Sequence, residues 1–138
     1  MSVRLNPYLG FRDTARQAME FYRSVFGGDL TMNTFADIGA SEDPSEADKI
    51  MHSMLETDDG LVLMASDTPN TMDYTPGTSH AVSLSGDDDA RLRGYWEQLS
   101  AGGTVTVPLE QAPWGDSFGM CQDAFGVSWM VNISPAQA

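Results

Sequence analysis

Apolar residues recur along this chain with two periods, and the switches between them outline its elements. Alternation by two suits a strand; spacing by three and four suits a helix. Val3 to Phe11 alternates, with Asn6, Tyr8 and Gly10 on one face and Leu5, Pro7 and Leu9 on the other. Pro7 has no amide hydrogen to give a ladder, which marks an edge or a bulge. Asp13 or Thr14 can cap a helix running to Phe26, since Ala15, Ala18, Met19, Tyr22, Val25 and Phe26 keep helical spacing. Gly27-Gly28 stops it. Leu30 to Ala36 is strand-like, and Asp37 to Lys49 reads as a polar loop. Ile50 to Glu56 and Leu61 to Ser66 form two more strands around a turn at Asp58-Asp59-Gly60. Thr68 to Gly77 holds two prolines and reads as a linker.

The order then repeats. Ser79 to Ser85 is a strand; Asp88 to Ala101 is a helix with Leu92, Tyr95, Trp96 and Leu99 on one side, stopped by Gly102-Gly103. Gly94 costs that helix about 1 kcal/mol relative to alanine, so packing must hold it. Thr104 to Leu109 is a strand. The closing stretch, WGDSFGMCQDAFGVSW (Trp114 to Trp129), places Asp123-Ala124-Phe125-Gly126 as a turn between Ser117 to Gln122 and Val127 to Ile133. A shift of 74 lays Asp13 on Asp87, Tyr22 on Trp96, Val25 on Leu99 and Gly28 on Gly102. Past the longer loop of the first half, a shift of 66 lays Gly60 on Gly126, Leu63 on Trp129 and Met64 on Met130. The pattern predicts an α+β fold of two βαβββ modules, residues 1–70 and 76–138 of one domain. Two copies do not make a solenoid. Each half supplies a four-stranded sheet with one helix, and pairing the halves would enclose a curved, mostly apolar cleft.

Composition narrows the functions. A chain of 138 residues favours one domain with a real core. No apolar run is long enough to span a membrane, and no signal peptide is visible. The net charge of −13 repels phosphate backbones and anionic membranes, so neither nucleic acid nor membrane is an expected partner. One cysteine, Cys121, excludes an internal disulfide and a cysteine zinc site, and a cytoplasmic location is the default.

Several stretches have a family resemblance: Pro7-Tyr8-Leu9, FYRSVFGG (Phe21 to Gly28), Met51-His52, LMASD (Leu63 to Asp67) and WGDSFGMCQDAFGVSWMVN (Trp114 to Asn132). With the paired modules, they resemble the vicinal oxygen chelate superfamily of glyoxalase I, bleomycin-resistance proteins and extradiol dioxygenases, and within it the PhnB-like branch. Many relatives carry a name implying ubiquinone methylation; no glycine-rich nucleotide motif here supports a methyl-donor site. The resemblance implies a homodimer, and small paired modules with long sheet edges agree with that.

The resemblance also implies a divalent metal held by His and Glu from the first and fourth strands of each module. Counting from Asp13, Asp87, Gly60 and Gly126, those positions read Asn6, His80, Met64 and Met130. Only His80 is a usual ligand; thioethers suit copper(I) better than zinc or iron. No metal or other cofactor is therefore expected, with a nonstandard site of His80, His52 and Asp67 as the disfavoured exception. His80 reads either as a lone base or ligand donor, or as a satisfied histidine at a strand start. His52, on one face with Ile50 and Met54, reads as a packing or interface histidine. Asp67 can orient a ligand or begin a turn. Met130, Ser128 and Asn132 share a face, Ser66 aligns with Asn132, Tyr8 lies with Asn6, and Val82 and Leu84 lie with His80. Apolar walls with a few polar anchors suit a small-molecule pocket; a closed core or dimer contact is the competing reading. Trp114 either stacks on a planar ligand or packs in a dimer. Trp129 and Cys121 read as core residues.

The expectation is a small-molecule-binding protein without a catalytic metal, with ligand contacts at Asn6, Tyr8, Met64, Ser66, Asp67, His80, Trp114, Met130 and Asn132. The alternative is a metal-dependent lyase, isomerase or dioxygenase. A third reading, a structural module, requires Met64, Met130 and Tyr8 to fill the cleft.

Overall fold

The computed structural model describes residues 3–39, 41–77 and 79–135. The chain forms two compact units, Met1–Pro76 and Gly77–Ala138. The first contains β1 (Tyr8–Phe11), α1 (Ala15–Phe26), β2 (Asp29–Thr34), the short α2 (Phe35–Ile38), a 3-10 turn (Pro44–Glu46), β3 (Ile50–Glu56) and β4 (Val62–Asp67). The second contains β5 (Val82–Gly86), α3 (Asp89–Ala101), β6 (Thr104–Gln111), β7 (Ser117–Gln122) and β8 (Ser128–Ile133). Each has a four-stranded mixed sheet, in the orders β1-β4-β3-β2 and β5-β8-β7-β6. The first strand of each unit runs parallel to the last, and the other neighbours are antiparallel.

Alternation decides which face meets the helix. In β4, Leu63, Ala65 and Asp67 are buried while Val62, Met64 and Ser66 are half-buried. Helix α1 covers the buried face with Ala15, Ala18, Met19, Tyr22 and Val25. In the second unit Leu92, Tyr95, Trp96 and Leu99 of α3 are buried, as are Cys121 of β7 and Trp129, Val131 and Ile133 of β8. Each large apolar side chain so buried contributes roughly 1.5–3 kcal/mol before the entropy cost of ordering it. Gly119 in β7 lets α3 sit close: a Cβ there would lie 2.9 Å from Trp96 Cη2 and 2.9 Å from Leu109 Cα.

The departures from the expected boundaries have local causes. The β1 ladder begins at Tyr8, because Pro7 accepts from the Met64 amide but has no N–H to return. Strand β2 ends at Thr34, two residues early, where Thr34 and Asp37 exchange side-chain and backbone hydrogen bonds that open α2. The loop read from Asp37 to Lys49 holds the end of α2 and the 3-10 turn, which Asp43 caps by accepting from the Ser45 amide at 2.9 Å. Met51 is a bulge residue: β2 pairs Asn33 with His52 but Thr34 with Ile50, so Ile50 joins the helix side and leaves His52 facing away with Met54.

The turns at 57–61 and 123–127 repeat each other bond for bond, in line with the shift of 66. The Thr57 amide donates to Leu61 O and the Gly60 amide to Thr57 O; the Asp123 amide donates to Val127 O and the Gly126 amide to Asp123 O. The shift of 74 holds only within the helices. Tyr8 pairs Met64 and Ser83 pairs Met130, so the first strands are related by 75. Glycine agrees: a Cβ on Gly28 would lie 2.3 Å from Glu56 O, and one on Gly103 would lie 1.9 Å from Gln122 O. Gly28 therefore corresponds to Gly103, not Gly102. Helix α3 sits one residue earlier relative to its strands than α1 does.

Candidate functional site

The sheet faces turned away from the helices collect the candidate chemistry, and pairing orders it into rows. In the first unit one row runs Thr31, Met54, Met64, Tyr8; beyond it Asn33 pairs with His52 and Ser66 with Gly10. The Tyr8 and His52 rings lie 6.1 Å apart at 33°. In the second unit one row runs Val107, Met120, Met130, Ser83, and the next runs Glu110, Phe118, Asn132, Ser85. Trp114 lies beside Phe118, ring centroids 6.5 Å apart at 58°. Asn132 Nδ2 donates to Asp116 Oδ2 at 3.0 Å. The internal repeat is visible in the chemistry: Met54 and Met64 match Met120 and Met130, Ser66 matches Asn132, and His52 matches Phe118.

Of the residues chosen from sequence, Tyr8, Met64 and Ser66 share the open face of the first sheet. Met130 and Asn132 share that of the second, with Trp114 at its Phe118 corner. Asn6 is half-buried and precedes β1. The other two are placed differently. Asp67 is only 5% exposed and lies on the helix side. Its Oδ1 accepts from the Ala15 amide at 2.9 Å and its Oδ2 from the Ile50 amide at 2.8 Å. It is thus the cap of α1, a task that Thr14 leaves undone, and it also fastens the start of β3. His80 lies before β5, exposed, its Nδ1 2.9 Å from the Ser79 hydroxyl. Val82 and Leu84 are opposite Trp129 and Val131 on the helix side, so Ser83 and Ser85 face outward in their place. A one-residue slip exchanges the two faces of a strand. Carried back from β5, the shift of 75 puts Ala81, not His80, at the equivalent of Asn6. Sequence reasoning missed Met54, Phe118, Met120 and Asp116; the methionines and Phe118 were open to the same alternation applied to β3 and β7.

A polar recess of about 290 Å³ in the first unit is lined by Asp13, Arg16, Gln17, Ser45, Asp48, Lys49 and Asp67. Buried Lys49 is paired there with Asp13, whose φ of 69° is left-handed, and Asp67 is occupied as described. The recess is a charged junction between loop and helix, with three acids facing two bases. Cys121 is 2% exposed, and burial, reinforced by the negative Asp123, pushes its thiol up to about 11. Such a thiol is a poor nucleophile at neutral pH. Asp123 accepts from the amides of Phe125 and Val127 and from Trp129 Nε1, which anchors the closing turn to the core.

The model of the Glyoxalase/Bleomycin resistance protein/Dioxygenase superfamily matches residues 4–131. The chain belongs to this superfamily. An uncharacterised protein of Mycobacterium bovis is 29% identical over 138 residues, spanning 93% of this chain and 81% of its own. The crystal structure of a Pseudomonas aeruginosa protein is 36% identical, with a TM-score of 0.83, covering 98% of this chain and 100% of that one. A Bacillus cereus PhnB protein shares the fold at 20% identity, with a TM-score of 0.73 and coverage of 96% of this chain and 100% of that one.

Of the ligand positions that the resemblance implies, Met64 and Met130 lie on the open sheet faces, whereas Asn6 precedes β1, and His80 and Ala81 precede β5, outside the paired strands. One carboxamide, two thioethers and at most one imidazole do not fit a hard or borderline divalent ion, which takes several imidazole and carboxylate donors. Among the described residues, no three His, Cys, Asp or Glu side chains gather to make a substitute. No described helix is long and apolar enough to cross a membrane.

Proposed function

We propose that this chain is a small-molecule-binding member of the superfamily that works without a divalent metal. The observation that carries this reading is the pair of methionine rows, Met54–Met64 and Met120–Met130, in which Met64 and Met130 stand at the positions where the resemblance implies metal-binding carboxylates. Thioether side chains are polarizable and flexible, and they line surfaces that adapt to apolar ligands. Ser66, Asn132, Ser83 and Ser85 add a few fixed polar groups beside them, the mixture a small-molecule site uses. The resemblance of the WGDSFGMCQDAFGVSWMVN stretch supports a place in the PhnB-like branch and a homodimer. A buried, unpaired Cys121 suits a reducing, cytoplasmic setting.

The test is calorimetry and melting of chelator-stripped protein with zinc, nickel, manganese and iron(II), alongside sedimentation for the dimer. The reading expects no stoichiometric metal uptake and a two-chain particle. Tight uptake of one ion per chain with a raised melting temperature would instead return the chain to metal-dependent lyase, isomerase or dioxygenase chemistry.

A further inference from the structure

We propose that the open face of the second sheet takes a planar aromatic cation, stacked at Trp114 and Phe118 and held in charge by Asp116. The proposal rests on the metal-free binding reading and adds the class of ligand.

Charge placement is the first support. No strand of either sheet contains a lysine or arginine. The second unit has two cationic side chains, Arg91 and Arg93, both on α3, which packs on the opposite face of the sheet. Arg93 is paired with Asp89, and the Arg91 Nε donates to the Tyr95 hydroxyl at 2.6 Å. A phosphate, phosphonate or carboxylate on the open face would therefore meet no cation of this unit. It would meet Asp116, and Glu110 across from Phe118. That arrangement rejects anions and attracts cations.

Aromatic placement is the second support. Trp114 is 67% exposed, whereas Trp96 and Trp129 are buried. Its ring lies beside Phe118, the direct cross-strand neighbour of Asn132. An indole offered to solvent beside a second ring presents the electron-rich faces that a flat cation prefers. Polar geometry is the third. The Asn132 amide holds Asp116 Oδ2, which orients the carboxylate and leaves Oδ1 without a hydrogen bond among the described residues. A ring nitrogen or exocyclic ammonium would meet that oxygen while its ring stacks on Trp114, with Met120 and Met130 in the next row below.

The experiment compares three flat tricyclic probes of similar size at physiological salt: 9-aminoacridine (cationic), acridone (neutral) and anthracene-9-carboxylate (anionic). Binding is followed by tryptophan emission and by calorimetry. The expected result is at least tenfold tighter binding of 9-aminoacridine than of acridone, with the carboxylate weakest. Asp116→Asn should remove the cation's advantage and leave acridone unchanged; Trp114→Ala should weaken both. Glu97→Gln, an exposed acid on α3, controls for attraction by the net charge and should change nothing. An advantage that survives Asp116→Asn, or a carboxylate that binds as well as the cation, overturns the ligand class while leaving the binding face intact. Silence from all three probes overturns the proposal and leaves the metal-free reading to be decided by the metal titration.

Discussion

Replacing Asp67 with alanine should unfold the first unit's junction without touching the ligand face. The carboxylate is buried, and each of its oxygens accepts one backbone amide, from Ala15 and from Ile50. Hydrogen bonds to a charged partner contribute about 1.5–3 kcal/mol each, and a buried amide left unpaired forfeits that contribution. Two such bonds make a loss of about 3–6 kcal/mol, a large share of the stability of roughly 5–15 kcal/mol usual for a domain. For a chain of 138 residues this corresponds to a fall in melting temperature of about 10–25 °C. Asp67→Asn retains one acceptor and turns an amide group toward the other N–H, so it should fall between alanine and wild type. The assay is thermal melting followed by circular dichroism, with hydrogen exchange read at the Ala15 and Ile50 amides. Below its melting transition, Asp67→Asn should bind probes as the wild type does, since its side chain lies on the helix side of β4. A melting temperature for Asp67→Ala within about 2 °C of wild type, with both amides still protected, would refute the reasoning.

Other consequences follow from single contacts. Gly119→Ala should cost about 1–3 kcal/mol in urea unfolding, because its Cβ would press on Leu109 Cα as well as on the Trp96 ring. Cys121 should resist iodoacetamide through pH 9, where an exposed thiol reacts readily, because its own titration is pushed up to about 11. The native state holds that proton more tightly than the unfolded chain. Its contribution to stability is therefore complete below the ordinary thiol pKa of 9.0 and lost as pH rises through about 11. Unfolding at pH 8 and pH 10.5, with Cys121→Ala as the reference, measures that loss. His80→Ala should change stability by no more than about 0.5 kcal/mol and leave ligand affinity unaltered, since the side chain is exposed and bonded to its neighbour Ser79.

Much of this architecture was legible in the amino-acid order because local patterns carry it. Helix faces, turn glycines and the closing hairpin follow from spacing alone, and Ile50–Glu56 and Ser117–Gln122 have the ends that alternation assigns them. What spacing could not deliver is register. Gly102 and Gly103 are adjacent, and only the approach of Gly103 to Gln122 O shows which of them answers to Gly28. One residue of slack between strand and helix then set Ser83 and Ser85 on the open face in place of Val82 and Leu84. Likewise no local rule announces that α1 is capped by Asp67, 52 residues further along, instead of by Thr14. The Met51 bulge, which sends Ile50 inward while His52 stays outward, hides in an otherwise regular strand. Met64 and Met130 were legible as ligand contacts; their cross-strand pairing with Met54 and Met120 is what makes them a surface.

The central claim is that a small molecule is received on the methionine rows without metal. Methyl-labelled methionine examined by NMR, in the presence of a chelator, tests it most directly. Titration with 9-aminoacridine should move the methyl signals of Met120 and Met130 while that of Met19, fully buried on the inner face of α1, stays still. Signals that stay fixed in chelator and move only after zinc or nickel is added would contradict the account.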